Sequence, residues 1–253
     1  MRVFSYNILD GGEGRADPLA EVIEAQRADV VALIEADNVD VIERIAKRLD
    51  MDYIRGEGKK HAVCLMSRWP IVESVNHAGV RDDVPCLLEV GVRDPAGNEW
   101  PIGVVHLTPH ATEDDERQRE REVGAVLEVF GRHRNMKRAH LLVGDFNANS
   151  PVQQVDPARL HPRSKGAWEQ NGGKLPRRVI QSLLDAGYVD TFHAVKGEAG
   201  TGQGTFTTQC PGQRVDYVFG HSLERSRIRE AWIEHDRLAK YASDHFPVGV
   251  EIA

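Results

Sequence analysis

Apolar runs of strand length recur along the chain, at residues 3–9, 30–34, 62–66, 102–107, 140–144, 215–220 and 248–252. Between them the apolar positions step by three and four. Asp17 followed by Pro18 reads as an N-cap with proline at the first helical position, and Leu19, Val22 and Ile23 then line one face. Ile42, Ile45, Ala46 and Leu49 repeat the pattern. A longer helix is expected after Thr112, with Val123, Val126, Leu127 and Phe130 toward a core and Arg117, Arg119, Glu120 and Arg121 in solvent. A short helix through Val179, Ile180, Leu183 and Leu184 stops at Gly187, which suits a left-handed C-cap. The class is therefore α/β. No internal repeat or Ser/Pro-rich linker divides the chain, and the polar residues of interest run from Asn7 to His245, so residues 1–253 read as a single domain. Residues 150–175 are the most irregular stretch, expected as a functional or mobile loop. Residues 197–204 are Gly-rich but lack the GK[ST] ending of a phosphate-cradling loop.

Composition narrows the function classes. With 253 residues, 41% of them hydrophobic, the chain can bury a substantial core. Acids outnumber bases, 39 to 32, for a net charge of −7, which argues against a protein that coats nucleic acid, since such affinity comes from neutralising phosphates with Lys and Arg. No apolar stretch reaches the roughly 18 residues of a membrane span, and the first strand starts almost at Met1, leaving no room for a leader. Cys64, Cys86 and Cys210 are odd in number and far apart, against a disulfide framework or a thiolate zinc site. A cytoplasmic location is the expectation.

Polar residues stand repeatedly where an apolar run ends. Asn7 closes VFSYN, Glu35 closes VVALIE, His106 lies in IGVVHL, and Asp145 and Asn147 follow LLVG in GDFN. Asp216 interrupts RVDYVFG, and Asp244 and His245 precede FPVGV. Strand cores fix their end residues, so acids at neighbouring strand ends can converge in one preorganised pocket. Singly, each has an ordinary structural role open to it, as turn former, surface acid or backbone cap.

Taken together, the strings YNIL, IEADN, VVHL, LLVGDFN, RVDYVF and SDHFPV, in that order, resemble the endonuclease/exonuclease/phosphatase superfamily, the DNase I-like fold. LMSRWPI resembles its strand-and-turn segment, and GYVDTF with GTFT its C-terminal third. The resemblance spans the whole chain and implies a four-layered α-β-β-α sandwich, two facing sheets flanked by helices. It also implies divalent-metal-dependent hydrolysis of phosphate esters. On matched positions it implies Glu35 as principal metal ligand with Asn7 and Asp244 near the metal, and Asp145, assisted by Asn147, as the group that orients or deprotonates water. It implies His245 as the phosphate-contacting imidazole held by Asp216, and His106 as the additional histidine of the DNase I and sphingomyelinase branches. Two departures stand out: Val63 occupies a position that is polar in many relatives, and HDRLAKYA lacks the aromatic insertion of abasic-site enzymes.

The chemistry of these residues agrees. A phosphodiester repels hydroxide, so its hydrolysis needs a hard cation, fixed donors at the nonbridging oxygens and a base for water. Carboxylate and amide oxygens suit Mg²⁺, with Mn²⁺ as the alternative, better than zinc. His106 and His110 have the spacing of a helical zinc pair, but Pro109 argues against a helix there. His61, His77, His133, His161, His193, His221 and His235 match no motif and read as ordinary. Arg159, Arg163, Lys165, Lys174, Arg177 and Arg178 form either a basic lip over the substrate or solvated loop charge. The reading is a phosphoesterase acting by water attack on a phosphodiester or phosphomonoester. Alternatives are a DNA repair endonuclease/exonuclease of the exonuclease III type and a noncatalytic binding module; the complete acid, amide and imidazole set argues against the latter.

Overall fold

The computed structural model describes residues 1–81 and 83–253. Its strands are β1 (Arg2–Asn7), β2 (Val30–Ile34), β3 (Asp52–Glu57), β4 (Ala62–Ser67), β5 (Ile71–Asn76), β6 (Cys86–Arg93), β7 (Glu99–His106), β8 (His140–Asp145), β9 (Val189–Asp190), β10 (Asp216–His221), β11 (Ile228–Ile233) and β12 (Val248–Ile252). The helices are α1 (Ala16–Ala25), α2 (Val39–Leu49), α3 (Glu113–Val129), α4 (Gly131–Asn135), α5 (Pro162–Gln170), α6 (Arg178–Asp185), α7 (Thr191–Lys196) and α8 (Arg237–Ala242). Among the described residues the strands form two six-stranded sheets, ordered β11-β12-β1-β2-β4-β3 and β5-β6-β7-β8-β10-β9.

Side-chain alternation builds the layers. In the second sheet Ile102 and Val104 of β7, Leu141 and Val143 of β8 and Val218 of β10 join the first sheet in one core. Their neighbours Val105, Leu142, Tyr217 and Phe219 point the other way, onto Val123, Val126 and Phe130 beside α3 and Val179, Ile180 and Leu183 of α6. Leu19 and Ile23 of α1 with Ile42 and Ile45 of α2 cover the outer face of the first sheet. The result is the expected α-β-β-α sandwich.

Strand direction decides where chemistry can gather. Each sheet holds one parallel pair, β1 with β2 and β7 with β8, whose C-terminal ends therefore meet at the same edge. Their antiparallel neighbours, β12 beside β1 and β10 beside β8, begin at that edge. Residues closing β1, β2, β7 and β8, and residues opening β10 and β12, are thus brought together from both ends of the chain.

Several local expectations are corrected. Asp17 is not the N-cap of α1: the helix starts at Ala16 with Arg15 as its N-cap, and Pro18 lies in the first turn, where a missing N–H costs no hydrogen bond. Thr112 does cap α3, in a reciprocal box with Asp115. Arg119 on that helix is buried rather than solvated, paired to Glu116 at 3.0 Å and donating to the carbonyls of Thr108 at 2.9 Å and His110 at 2.5 Å. Residues 150–175 contain α5, capped by His161 with Pro162 in its first turn. Gly187, at φ +88°, ends α6 as expected.

Candidate active site

Asp145 is the centre, and its backbone explains its placement. Gly144 has φ +138° and lies so close to the Val105 carbonyl of β7 that a Cβ there would sit 2.0 Å from that oxygen. Only glycine permits this approach of β8 to β7. The register then aligns His106 of β7 with Asp145 of β8, and Asp145 with Asp216 of β10, in one row across three strands. All three share the parity of the inward-facing Val104, Val143 and Val218, so they project into the mouth of the sandwich.

The first sheet contributes from the opposite side. Asn7, closing β1, donates from Nδ2 to Asp145 Oδ2 at 3.1 Å and to Glu35 Oε1 at 3.2 Å, while its Oδ1 accepts from the Leu9 N–H at 3.1 Å. Its amide therefore links carboxylates carried by the two sheets. Glu35 follows β2 in a left-handed conformation, φ +58°, and accepts from the Asp10 N–H at 2.8 Å. Asn147, also left-handed as asparagine tolerates, donates its main-chain N–H to Asp145 Oδ1 at 2.8 Å and its side chain to the Leu107 carbonyl at 3.0 Å. His245 Nδ1 donates to Asp216 Oδ2 at 2.9 Å, leaving Nε2 3.9 Å from Asp145 Oδ2. His106 Nε2 lies 3.8 Å from the same oxygen.

Environment gives the two histidines opposite character. Burial holds the His106 imidazole down to about 4 despite the nearby Glu35 carboxylate, so it is neutral near pH 7. Burial also disfavours charge on His245, but Asp216 and Asp145 outweigh it and push its pKa up to about 10. Burial, then the neighbouring Asp216, pushes the Asp145 carboxyl up to about 7 against His245, the Asn147 N–H and the Asn7 amide. Burial opposes ionisation of Glu35 too, yet the Asp10 N–H, His106, Asn7 and His61 together lower its pKa. Burial raises Asp244, with Glu35 adding to the effect and His245 opposing it.

All eight expected site residues meet here. Glu35, His106, Asp145, Asn147, Asp244 and His245 line one cleft, and Asn7 and Asp216 hold members of that set by hydrogen bonds. Two residues passed over as ordinary belong to it as well: His61 and His161 line the same cleft. Neither carries a motif, and the only signal for His61 is that it immediately precedes β4, whose partner β2 leads to Glu35. Of the basic residues after GDFN, Arg163 alone faces the cleft. Arg177 is spent on the carbonyls of Ser150 and Pro151, and Arg178 on Glu113 and Glu120, so those two are structural.

The donor set fits a hard cation. Ligand atoms of Asp10, Glu35 and His61 lie within 4.8 Å of one another, as do those of Asp145, Asp216 and His245. Asp216 Oδ1 and Asp244 Oδ1 are buried without a hydrogen-bond partner, which is costly unless something else compensates them. Oxygen donors predominate and, among the described residues, neither group contains a cysteine, as suits a dication of the Mg²⁺ or Mn²⁺ type.

The family model described as "Endonuclease/Exonuclease/phosphatase family" matches residues 4–245. The chain belongs to that family. Membership in the endonuclease/exonuclease/phosphatase family indicates a hydrolase acting on phosphoester bonds. Solved structures share its fold along the whole chain. An AP endonuclease from Archaeoglobus fulgidus is 16% identical, with 100% of this chain and 99% of that one covered and a TM-score of 0.72. The 3' phosphatase NExo from Neisseria, bound to a product DNA hairpin, is 17% identical over 100% and 99% of the two chains, with a TM-score of 0.74. D. rerio TDP2, complexed with a single-strand DNA product, is 18% identical over 100% and 98%, with a TM-score of 0.69. No curated protein sequence matches the chain. Among the described residues, no helix of this family member is long and apolar enough to cross a membrane.

Proposed function

We propose that residues 1–253 act as one catalytic domain, a divalent-metal-dependent phosphodiesterase that cleaves a P–O bond by direct attack of water. The observation that carries this reading is the junction at Asp145: one buried carboxylate, near-neutral in pKa, linked to a cationic His245 pair on one side and through Asn7 to Glu35 on the other.

Asp145 is the base, since a carboxyl near 7 is both available as carboxylate and strong enough to take a proton from water. Asn147 fixes its orientation through the main-chain N–H. His245 donates to a nonbridging oxygen and meets developing negative charge, and Asp216 keeps it protonated and aimed. His106, neutral, lies 3.8 Å from Asp145 as an uncharged neighbour rather than a cation. Glu35 and Asp244, with Asn7 aligning Glu35, would hold Mg²⁺ or Mn²⁺, which when bound screens phosphate charge and polarises the ester.

A DNA repair nuclease is the second reading. It is favoured by the cleft wall, where the Phe206 ring lies 4.8 Å from that of His245 and Arg163 lines the same cleft, a pairing suited to a base beside a phosphate. An activated aryl phosphodiester, assayed with Mg²⁺, with Mn²⁺ and with chelator, tests the first reading: metal-dependent turnover is expected, and turnover unaffected by chelation defeats it. Gel assays on abasic, nicked and single-stranded DNA test the second.

A further inference from the structure

We propose that His61 is a nitrogen ligand of the catalytic dication, oriented by Asp37, so that this site prefers Mn²⁺ to Mg²⁺. The proposal rests on the metal-dependent reading above and goes beyond its oxygen ligands.

His61 belongs to a built arrangement. Its Nδ1 donates to Asp37 Oδ2 at 2.8 Å, and the other oxygen of Asp37 accepts from the Ala62 N–H at 2.7 Å. Both carboxylate oxygens are thereby committed, and the ring is anchored at the start of β4. A carboxylate on Nδ1–H fixes the tautomer with the lone pair on Nε2, the orientation in which metal-binding histidines are held by an outer carboxylate. The ring lies against His106, with centroids 5.6 Å apart, and lines the catalytic cleft. A ligand atom of His61 stands within 4.8 Å of one from Glu35 and one from Asp10.

The chemistry of that set differs from an all-oxygen site. Mg²⁺ binds oxygen and gains little from imidazole, whereas Mn²⁺, a first-row transition-metal ion, accepts a mixed nitrogen and oxygen shell. Asp37 stands outside this group, in which Asp10 adds a carboxylate beside the Glu35 already assigned to the metal. A residue that sequence motifs pass over thus sets which ion the enzyme selects.

The test is electron spin-echo spectroscopy on the 253-residue chain, stripped with chelator and reloaded with Mn²⁺ alone. Nitrogen modulation on bound Mn²⁺ is expected in the wild type, in His106→Ala and in His245→Ala, and is expected to vanish in His61→Gln while Mn²⁺ still binds. Calorimetry should show Mn²⁺ affinity falling about tenfold in His61→Gln and in Asp37→Asn, with Mg²⁺ affinity nearly unchanged. Bound Mn²⁺ without nitrogen modulation, or modulation that survives His61→Gln, overturns the proposal and leaves metal dependence intact. Failure of any Mn²⁺ to bind sinks both.

Discussion

Two clusters of buried acids and imidazoles lie on the second sheet, and they are finished differently. On the face covered by α4, Glu89 of β6 has every oxygen engaged: His133 Nε2 lies 2.7 Å and Arg132 2.6 Å from Oε1, and His77 Nε2 lies 2.9 Å from Oε2. His140 beside it is equally occupied, with the Arg138 carbonyl 2.7 Å from Nδ1 and the Tyr188 hydroxyl 2.8 Å from Nε2. At the cleft, by contrast, Asp216 and Asp244 each keep a buried oxygen without a partner, and Asp145 shares its Oδ2 with two imidazoles at 3.8 and 3.9 Å. A saturated polar cluster holds a fold together. An unsaturated one keeps buried oxygens available to a bound group.

Substitutions sharpen the contrast. The largest effect is expected from Asp145→Asn, which should lower kcat on a phosphodiester by about 10³-fold while leaving Tm unchanged or raised, because the lost carboxylate was costly to bury. Activity retained within tenfold would remove Asp145 from the role of base. Glu89→Gln should do the reverse: about 3 kcal/mol of stability lost in denaturant unfolding, because three paired groups lose their charge partner, with kcat of the folded enzyme unchanged.

Acid sharpens the same pair. Burial resists ionisation of Glu89, but its bonds to His77, His133 and Arg132 prevail and hold the carboxyl down to about 2 from an ordinary 4.5. A depressed acid stabilises the fold above its unfolded pKa and loses that contribution as pH falls toward the folded value. Tm should therefore fall between pH 5 and pH 2 in the wild type, and less steeply in Glu89→Gln. His245 moves the other way. Its raised pKa, about 10, keeps the imidazolium through neutral pH, so the alkaline limb of kcat/KM should stand near that value and shift toward the ordinary imidazole range in Asp216→Asn. An unmoved limb would mean that Asp216 does not control the proton. The smallest change is expected from Arg163→Ala, about threefold in KM with a weaker salt dependence, since this cleft residue supplies one exposed charge.

Much of this was legible before the structure. The long apolar runs became β1, β2, β4, β7, β8, β10 and β12, the central strands, because burial on both faces makes their signal continuous. β3, β5, β6, β9 and β11 were missed: four are edge strands, where segments such as DYIRGE carry polar residues that blur the alternation, and the interior β6 is interrupted by the buried Glu89. The eight candidate site residues stand out in the sequence because each ends, opens or closely flanks a central strand. His61 and Asp37 escaped, because their meaning lies in a contact between the segment before α2 and the start of β4 that no local pattern encodes. Arg119 was misread for a related reason. The first half of its helix looks uniformly charged, yet the Thr108 and His110 carbonyls after β7 needed a buried donor, and Arg119 supplies it.

The Asn7 amide has a consequence for how the enzyme should fail. It is anchored on a strand of one layer and grips an acid on a strand of the other, so the reactive geometry depends on the two halves of the sandwich keeping their mutual alignment. Sliding of one layer by an ångström would break that grip while both ladders of main-chain bonds stayed intact. On warming, turnover should therefore be lost before the secondary structure is.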